Sequence, residues 1–141
     1  MLLRPAQPAD AAAVADVHVR SWQVAYRGLL SDAYLDGLRP QDRAGRYAFG
    51  DLKPDQPATI VAVEQERISG FATIAPAQDA DRRGSGELCA LYVDPERWGC
   101  GIGRALMQAA RGDLARQGFE NACLWVLAGN QRTARFYEID G

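Results

Sequence analysis

The chain has 141 residues, 48% of them hydrophobic, which is enough for one sizeable core and short for a second, so a single domain over residues 1–141 is expected. Sixteen basic residues against eighteen acidic ones leave a formal charge of -2, which excludes the bulk positive field that non-specific nucleic-acid binding requires. Three cysteines without metal-ligand spacing and one histidine argue against a structural metal or a disulfide framework, and no apolar run has the length of a signal peptide core or a membrane span, so a soluble, cytoplasmic protein is expected.

The first third reads as helical. A helix should begin after Asp10, whose carboxylate can accept from free backbone N–H groups, and end near Gly28, which tolerates a left-handed exit. Its period brings His18, Trp22 and Tyr26 into one stripe. Within the Asp-, Arg- and Pro-rich stretch that follows, Ala33-Tyr34-Leu35 and Tyr47-Ala48-Phe49 suit anchors of short helices. Residues 58–64 and 68–75 are β-branched and separated by Gln65-Glu66-Arg67, a hairpin pattern. A polar loop from Gln78 to Gly86 leads to a third strand, Glu87 to Val93, stopped by Asp94-Pro95. Ile102, Leu106, Ala109 or Ala110, and Leu114 recur at helical spacing and predict a helix from about Gly101 to Gln117, with Gly118 as its stop. Cys123 to Leu127 reads as a short buried strand, and Asn130 to about Ile139 as a last helix containing Ala134, Phe136 and Tyr137. A helical start followed by strands and then alternating strand and helix points to a mixed α/β layer fold.

The chemistry is concentrated at the junction after Val93. A strand, a tight turn with glycines at 99, 101 and 103, and a helix that starts at once place free N–H groups and a partial positive charge where a phosphate can approach closely. Glycines at such a junction also serve simply to make a tight turn. A dinucleotide fingerprint is excluded by spacing, because Arg104 stands where its third glycine should fall, and a triphosphate loop is excluded because no Gly-Lys-Ser/Thr tripeptide occurs. The turn suits a pyrophosphate, and Arg104 can add a charge-assisted contact.

Leu91-Tyr92-Val93-Asp94-Pro95, then Gly99-Cys100-Gly101-Ile102-Gly103-Arg104-Ala105-Leu106, then Asn130-Gln131-Arg132-Thr133-Ala134-Arg135-Phe136-Tyr137 resemble, in order and separation, the central motifs of the GNAT acyltransferase superfamily. The resemblance implies a central mixed, mostly antiparallel sheet flanked by helices, and an N-acetyltransferase that moves an acetyl group from acetyl-CoA to a primary amine of a small molecule or protein. A catalytically idle CoA-binding module of the same fold is the alternative. The family's turn places Gln or Arg at position 98, where this chain has Trp98, with Arg97 beside it as a candidate substitute.

Resemblance further implies that the pantetheine arm lies along Leu91, Tyr92 and Val93 and that a backbone N–H near Leu91 polarises the thioester carbonyl. Trp98, Gly99, Cys100, Gly101, Ile102, Gly103 and Arg104 would hold the pyrophosphate, with Asn130 contacting the cofactor or simply capping its helix. Tyr137 matches the family's acid for the departing sulfur, or packs beside Phe136. Glu87 stands where many relatives place the base, and His18 is an alternative base or a packed side chain. Trp22 and Tyr26 are candidates for a wall of the acceptor pocket, or core. Cys100, at a helix start, is either a reactive thiol or a small filler. Family members usually carry two further strands after the last helix, so the expected sheet lacks its C-terminal strands, whether truncated or absent, and the uncovered edge of strand 123–127 is either filled by a partner molecule or a liability; a homodimer is a candidate assembly.

Overall fold

The computed structural model describes residues 1–45, 58–76, 86–119, 121–128 and 131–138. Its strands are β1 (Leu2–Pro5), β2 (Ala58–Glu64), β3 (Arg67–Pro76), β4 (Gly86–Val93), β5 (Asn121–Ala128) and β6 (Gln131–Glu138), and its helices α1 (Ala11–Ala25), α2 (Asp32–Asp36), α3 (Pro40–Ala44) and α4 (Ile102–Arg116). The strands form one sheet in the order β1-β2-β3-β4-β5-β6. Pairing is antiparallel from β1 to β4 and between β5 and β6, and parallel only between β4 and β5. The parallel step follows from the α4 crossover that joins β4 to β5.

Alternation along β2 and β3 divides the core between the two faces of the sheet. Ile60, Ala62, Ala72 and Ile74 face α4, meeting Ile102, Leu106, Ala110 and Leu114 one turn apart along that helix. Val61 and Phe71 point the other way, onto Val14 and Val17 of α1. Burial of each large aliphatic side chain stabilises the fold by about 1.5–3 kcal/mol, so the α4 stripe is the main anchor of the helix that follows the glycine turn.

The hairpin, the third strand and the long helix fall within a residue or two of the ranges expected from pattern. Several elements differ. Leu2–Pro5 is a short edge strand on β2, and α3 was not anticipated. Asp10 stands at the start of α1 but makes no side-chain cap there; its carboxylate accepts from Arg4 (2.7 and 3.1 Å) and from the backbone N–H of Gln7 (2.7 Å). The anchor expected at Tyr47-Ala48-Phe49 and the loop from Gln78 lie outside the described residues.

The largest correction is at the C-terminal end. Gln131–Glu138 is a strand and not a helix, paired with β5 over eight positions from Asn121↔Glu138 to Ala128↔Gln131. An apolar strand such as β5 leaves a full row of N–H and C=O groups to satisfy on its outer edge, and an antiparallel neighbour satisfies all of them at once. That pairing outweighs the weak helical preference of a segment containing Thr133, Phe136 and Tyr137. The edge of residues 123–127 is therefore covered by this chain's own β6 and does not await a partner.

Candidate active site

β4 carries a bulge at Cys89. Thr73 faces Ala90 and Ile74 faces Leu88, so the register between the two strands skips Cys89. The extra residue sets the two faces of the strand: Leu88, Leu91 and Val93 pack toward α4, and Ala90 and Tyr92 toward α1. On its other side β4 pairs with β5 only over Gly86–Leu88, opposite Ala122–Leu124. From Cys89 to Val93 that edge of β4 has no strand beside it among the described residues.

The backbone direction on the open edge follows from one hydrogen bond. The Asp94 N–H donates to Ser69 O on β3 at 2.7 Å, and no peptide bond among the described residues is cis, so the Val93 carbonyl points the opposite way, to the open side. The N–H and C=O of one strand residue share a side, so Val93 and Leu91 present their polar groups to the open edge and Tyr92 presents its own to β3.

A short 3₁₀ turn, Pro95–Arg97, leads from β4 into the glycines. Gly99 (φ +80°) and Gly101 (φ +83°) take left-handed conformations that other residues rarely adopt, and Gly101 is the N-cap of α4. Having no side chain, Gly101 covers none of the helix's first donors; the Ala105 N–H is the first to return to a carbonyl, that of Gly101 at 3.1 Å. The N–H groups of Ile102, Gly103 and Arg104 thus have no intrahelical acceptor, and they carry the positive end of a 15-residue helix dipole.

The turn and the open edge share one cleft of about 450 Å³. Of the residues expected to hold the cofactor, the structure brings Leu91, Tyr92, Val93, Trp98, Gly99, Gly101, Ile102 and Gly103 to its lining, together with Ser21 of α1 and Tyr26 just past its end. Cys100 and Arg104 lie exposed beside it. Arg97 lines the same cleft, with its guanidinium paired to Glu64, Nε and Nη2 donating at 3.0 and 2.9 Å. Those bonds, foremost, and a third from Ser69 hold the Glu64 carboxyl below its ordinary range. Trp98, 47% exposed, folds its indole back to donate to Val93 O at 2.8 Å.

A second cleft, of about 290 Å³, lies between α1 and the α2–α3 segment, with His18, Trp22, Tyr34, Leu38, Arg39 and Asp42 around it. His18 is buried among the rings of Trp22 (5.6 Å), Phe71 (5.9 Å) and Tyr92 (4.6 Å), which fits a packed side chain better than a base. Trp22 stands edge-on to Tyr26 at 4.8 Å, and its buried indole N–H has no hydrogen-bond partner among the described residues. A buried donor of this kind marks a place where a bound molecule's oxygen would be welcome.

The remaining expected residues are not brought to the turn. Glu87 sits where β4 and β5 are still paired, opposite Cys123, with the Cys89 thiol 3.7 Å from its carboxylate. Tyr137 lies on β6 opposite Ala122, itself opposite Gly86, so its backbone is two strands from β4. Asn130 lies outside the described residues.

Sequence reasoning missed three residues that build the site: Arg20, Ser21 and Asp94. Asp94, 6% exposed, accepts from the Arg20 guanidinium at 2.8 Å and from the Glu96 N–H at 3.0 Å, so α1 and the start of the turn are tied through one carboxylate. Ser21, 2% exposed, donates to Val93 O at 2.8 Å. Their neighbours His18, Trp22 and Tyr26 had drawn the functional reading of α1 to its aromatic stripe; the Asp94-Pro95 pair, a capping signal, was the available clue.

A sheet that opens between two parallel strands beside a glycine-capped helix has room for an extended, phosphate-bearing ligand. The acetyltransferase (GNAT) family profile matches residues 17–141, and the chain belongs to that family. It is 30% identical over 128 residues to the uncharacterised N-acetyltransferase YuaI of Bacillus subtilis (strain 168), covering 91% of this chain and 72% of that one. It is 34% identical over 108 residues to a mycothiol acetyltransferase of Kocuria rhizophila, covering 69% of this chain but only 36% of that longer protein. Among solved structures, the PaiA N-acetyltransferase of Thermoplasma acidophilum in complex with coenzyme A superposes with a TM-score of 0.73 at 20% identity, over 92% of this chain and 81% of that one. A GNAT acetyltransferase of Brucella melitensis in complex with acetyl-CoA gives 0.66 at 21% identity, over 97% and 86%. At these identities the two structures speak for the fold. No helix among the described residues is long and apolar enough to cross a membrane.

Proposed function

We propose that the chain transfers the acetyl group of acetyl-CoA to a primary amine of a small molecule or protein by direct attack, without a covalent enzyme intermediate. The observation that carries this reading is the shared cleft, in which the unpaired edge of β4 meets the free N–H groups of Ile102, Gly103 and Arg104. The pyrophosphate of the donor rests on those N–H groups, with the exposed Arg104 as a second contact. The pantetheine arm lies along Leu91–Val93 as an added strand, and the Leu91 N–H polarises the thioester carbonyl.

The amine's lone pair attacks the thioester carbon, the C–S bond breaks, and the thiolate leaves with a proton. Glu87 takes the proton from the amine and Tyr137 supplies one to the sulfur, roles that rest on the resemblance of their sequence positions to the family motif. Trp22 and Tyr26 form the acceptor wall: Trp22, with its unpartnered N–H, lines the 290 Å³ cleft, and Tyr26, edge-on to it at 4.8 Å, lines the larger one.

The test is thiol release from acetyl-CoA with a panel of small amines and peptides. Release that depends on the acceptor is expected. CoA binding by calorimetry with no release on any amine would leave a cofactor-binding module in place of an enzyme.

A further inference from the structure

Two donors converge on one carbonyl at the end of β4. Val93 O accepts from Ser21 Oγ on α1 and from Trp98 Nε1 in the turn, each at 2.8 Å. The carbonyl has two lone pairs, and both are used. It is also a carbonyl of the open edge, because its peptide partner, the Asp94 N–H, is bonded to β3. The protein has therefore taken out of use one of the few polar groups that an added strand would find there. What stays available between Leu91 and Val93 is the N–H and C=O of Leu91 and the N–H of Val93.

We propose that Ser21 is a positioning residue for the thioester arm: with Trp98 it holds the Val93 carbonyl and so fixes the set of backbone groups, and hence the register, that the arm can use on β4. The inference rests on the acetyl-CoA reading of the cleft. It also gives a purpose to the tryptophan that replaces the family's usual polar residue, since an indole is a donor without acceptor capacity and can serve a carbonyl alone. Arg20 acts one residue earlier along α1 and one later along β4, through Asp94, so that consecutive residues of the helix clamp consecutive residues of the strand end. The same helix carries Trp22, which places the setting of the cofactor edge and part of the acceptor wall on one rigid element.

The register account predicts a coupled effect. Ser21→Ala or Trp98→Phe alone leaves one donor on the carbonyl, and each should raise the KM for acetyl-CoA by no more than about threefold. The double variant frees the carbonyl and should raise it by about tenfold or more, beyond the product of the single effects, while the KM for the acceptor stays put. Calorimetry with CoA and a melting curve accompany each variant. An unchanged acetyl-CoA KM in a double variant that melts like the wild type would overturn the proposal. So would parallel rises in both KM values together with a lower melting temperature, which is general loosening, and so would tighter CoA binding, which would make the indole an obstacle. If the wild-type protein binds no CoA, the cofactor reading itself fails, and the two failures are told apart by that first titration.

Discussion

Gly70 sits on β3 directly beneath the start of α4, and a methyl group there has nowhere to go. A Cβ built on it would stand 2.9 Å from Tyr92 O, 3.0 Å from Leu106 Cδ1 and 3.3 Å from Ile102 Cγ2. The first of these is backbone of the site strand, and the other two belong to the stripe that seats the first two turns of α4. Gly70→Ala must push β4, α4 or both. Overpacking of this kind costs about 1–3 kcal/mol, and removing a strand glycine returns about 0.5–1 kcal/mol, so a net loss of about 1–2 kcal/mol is expected. For a chain of 141 residues that is a fall in Tm of roughly 3–8 °C.

The displaced atoms flank both the arm edge and the helix start, so CoA affinity should fall as well, read by calorimetry well below the new Tm. Gly86→Ala is the control. The three atoms nearest its Cβ would all belong to the Leu114 side chain, the closest at 2.5 Å, and it lies near the far end of α4 from the turn. It should lose stability by rotating or shifting Leu114 while CoA affinity is kept. A Gly70→Ala protein with wild-type Tm and wild-type CoA affinity would refute the claim that this close contact seats the site.

Gly101→Val should weaken CoA binding about tenfold or more, because a β-branched residue is strained at φ +83°; titration with CoA reads this directly. Leu106→Ala empties a fully buried position under α4 and should cost about 2–5 kcal/mol in a urea melt. Tyr137→Phe should lower turnover with CoA affinity little changed, and an unchanged rate would remove Tyr137 from the acid role. Hydrogen bonds from Arg4, foremost, and from the Gln7 N–H hold the Asp10 carboxyl below its ordinary range. A carboxyl depressed on folding adds stability that is fully present above its unfolded pKa, about 3.9, and is lost as pH falls through the folded value. Acid titration of Asp10→Asn against the wild type should therefore show a flatter loss of stability at low pH.

The parts of the site that were legible in the sequence are those dictated by local chemistry. The glycines at 99, 101 and 103 mark a tight turn, Asp94-Pro95 ends a strand, and the helical spacing from Ile102 to Leu114 gives the helix and its buried face. The parts that were not legible depend on contacts across the fold. Ser21 and Arg20 look like ordinary polar positions of α1 until Val93 and Asp94 arrive from more than seventy residues away. The bulge at Cys89, which separates the faces of β4, has no mark in a run of apolar residues. The strand at Gln131–Glu138 reads as helix because its own propensities are weak, and the bare edge of β5 decides it.

The central claim is that the turn at Gly99–Gly103 and the open edge of β4 together hold acetyl-CoA. A crystal structure with CoA bound tests it most directly. The account predicts pyrophosphate oxygens within hydrogen-bond distance of the N–H groups of Ile102, Gly103 and Arg104, the arm paired with Leu91 and the Val93 N–H, and Val93 O still bonded to Ser21 and Trp98. A cofactor bound away from this turn, or an arm paired with the Val93 carbonyl, would contradict it.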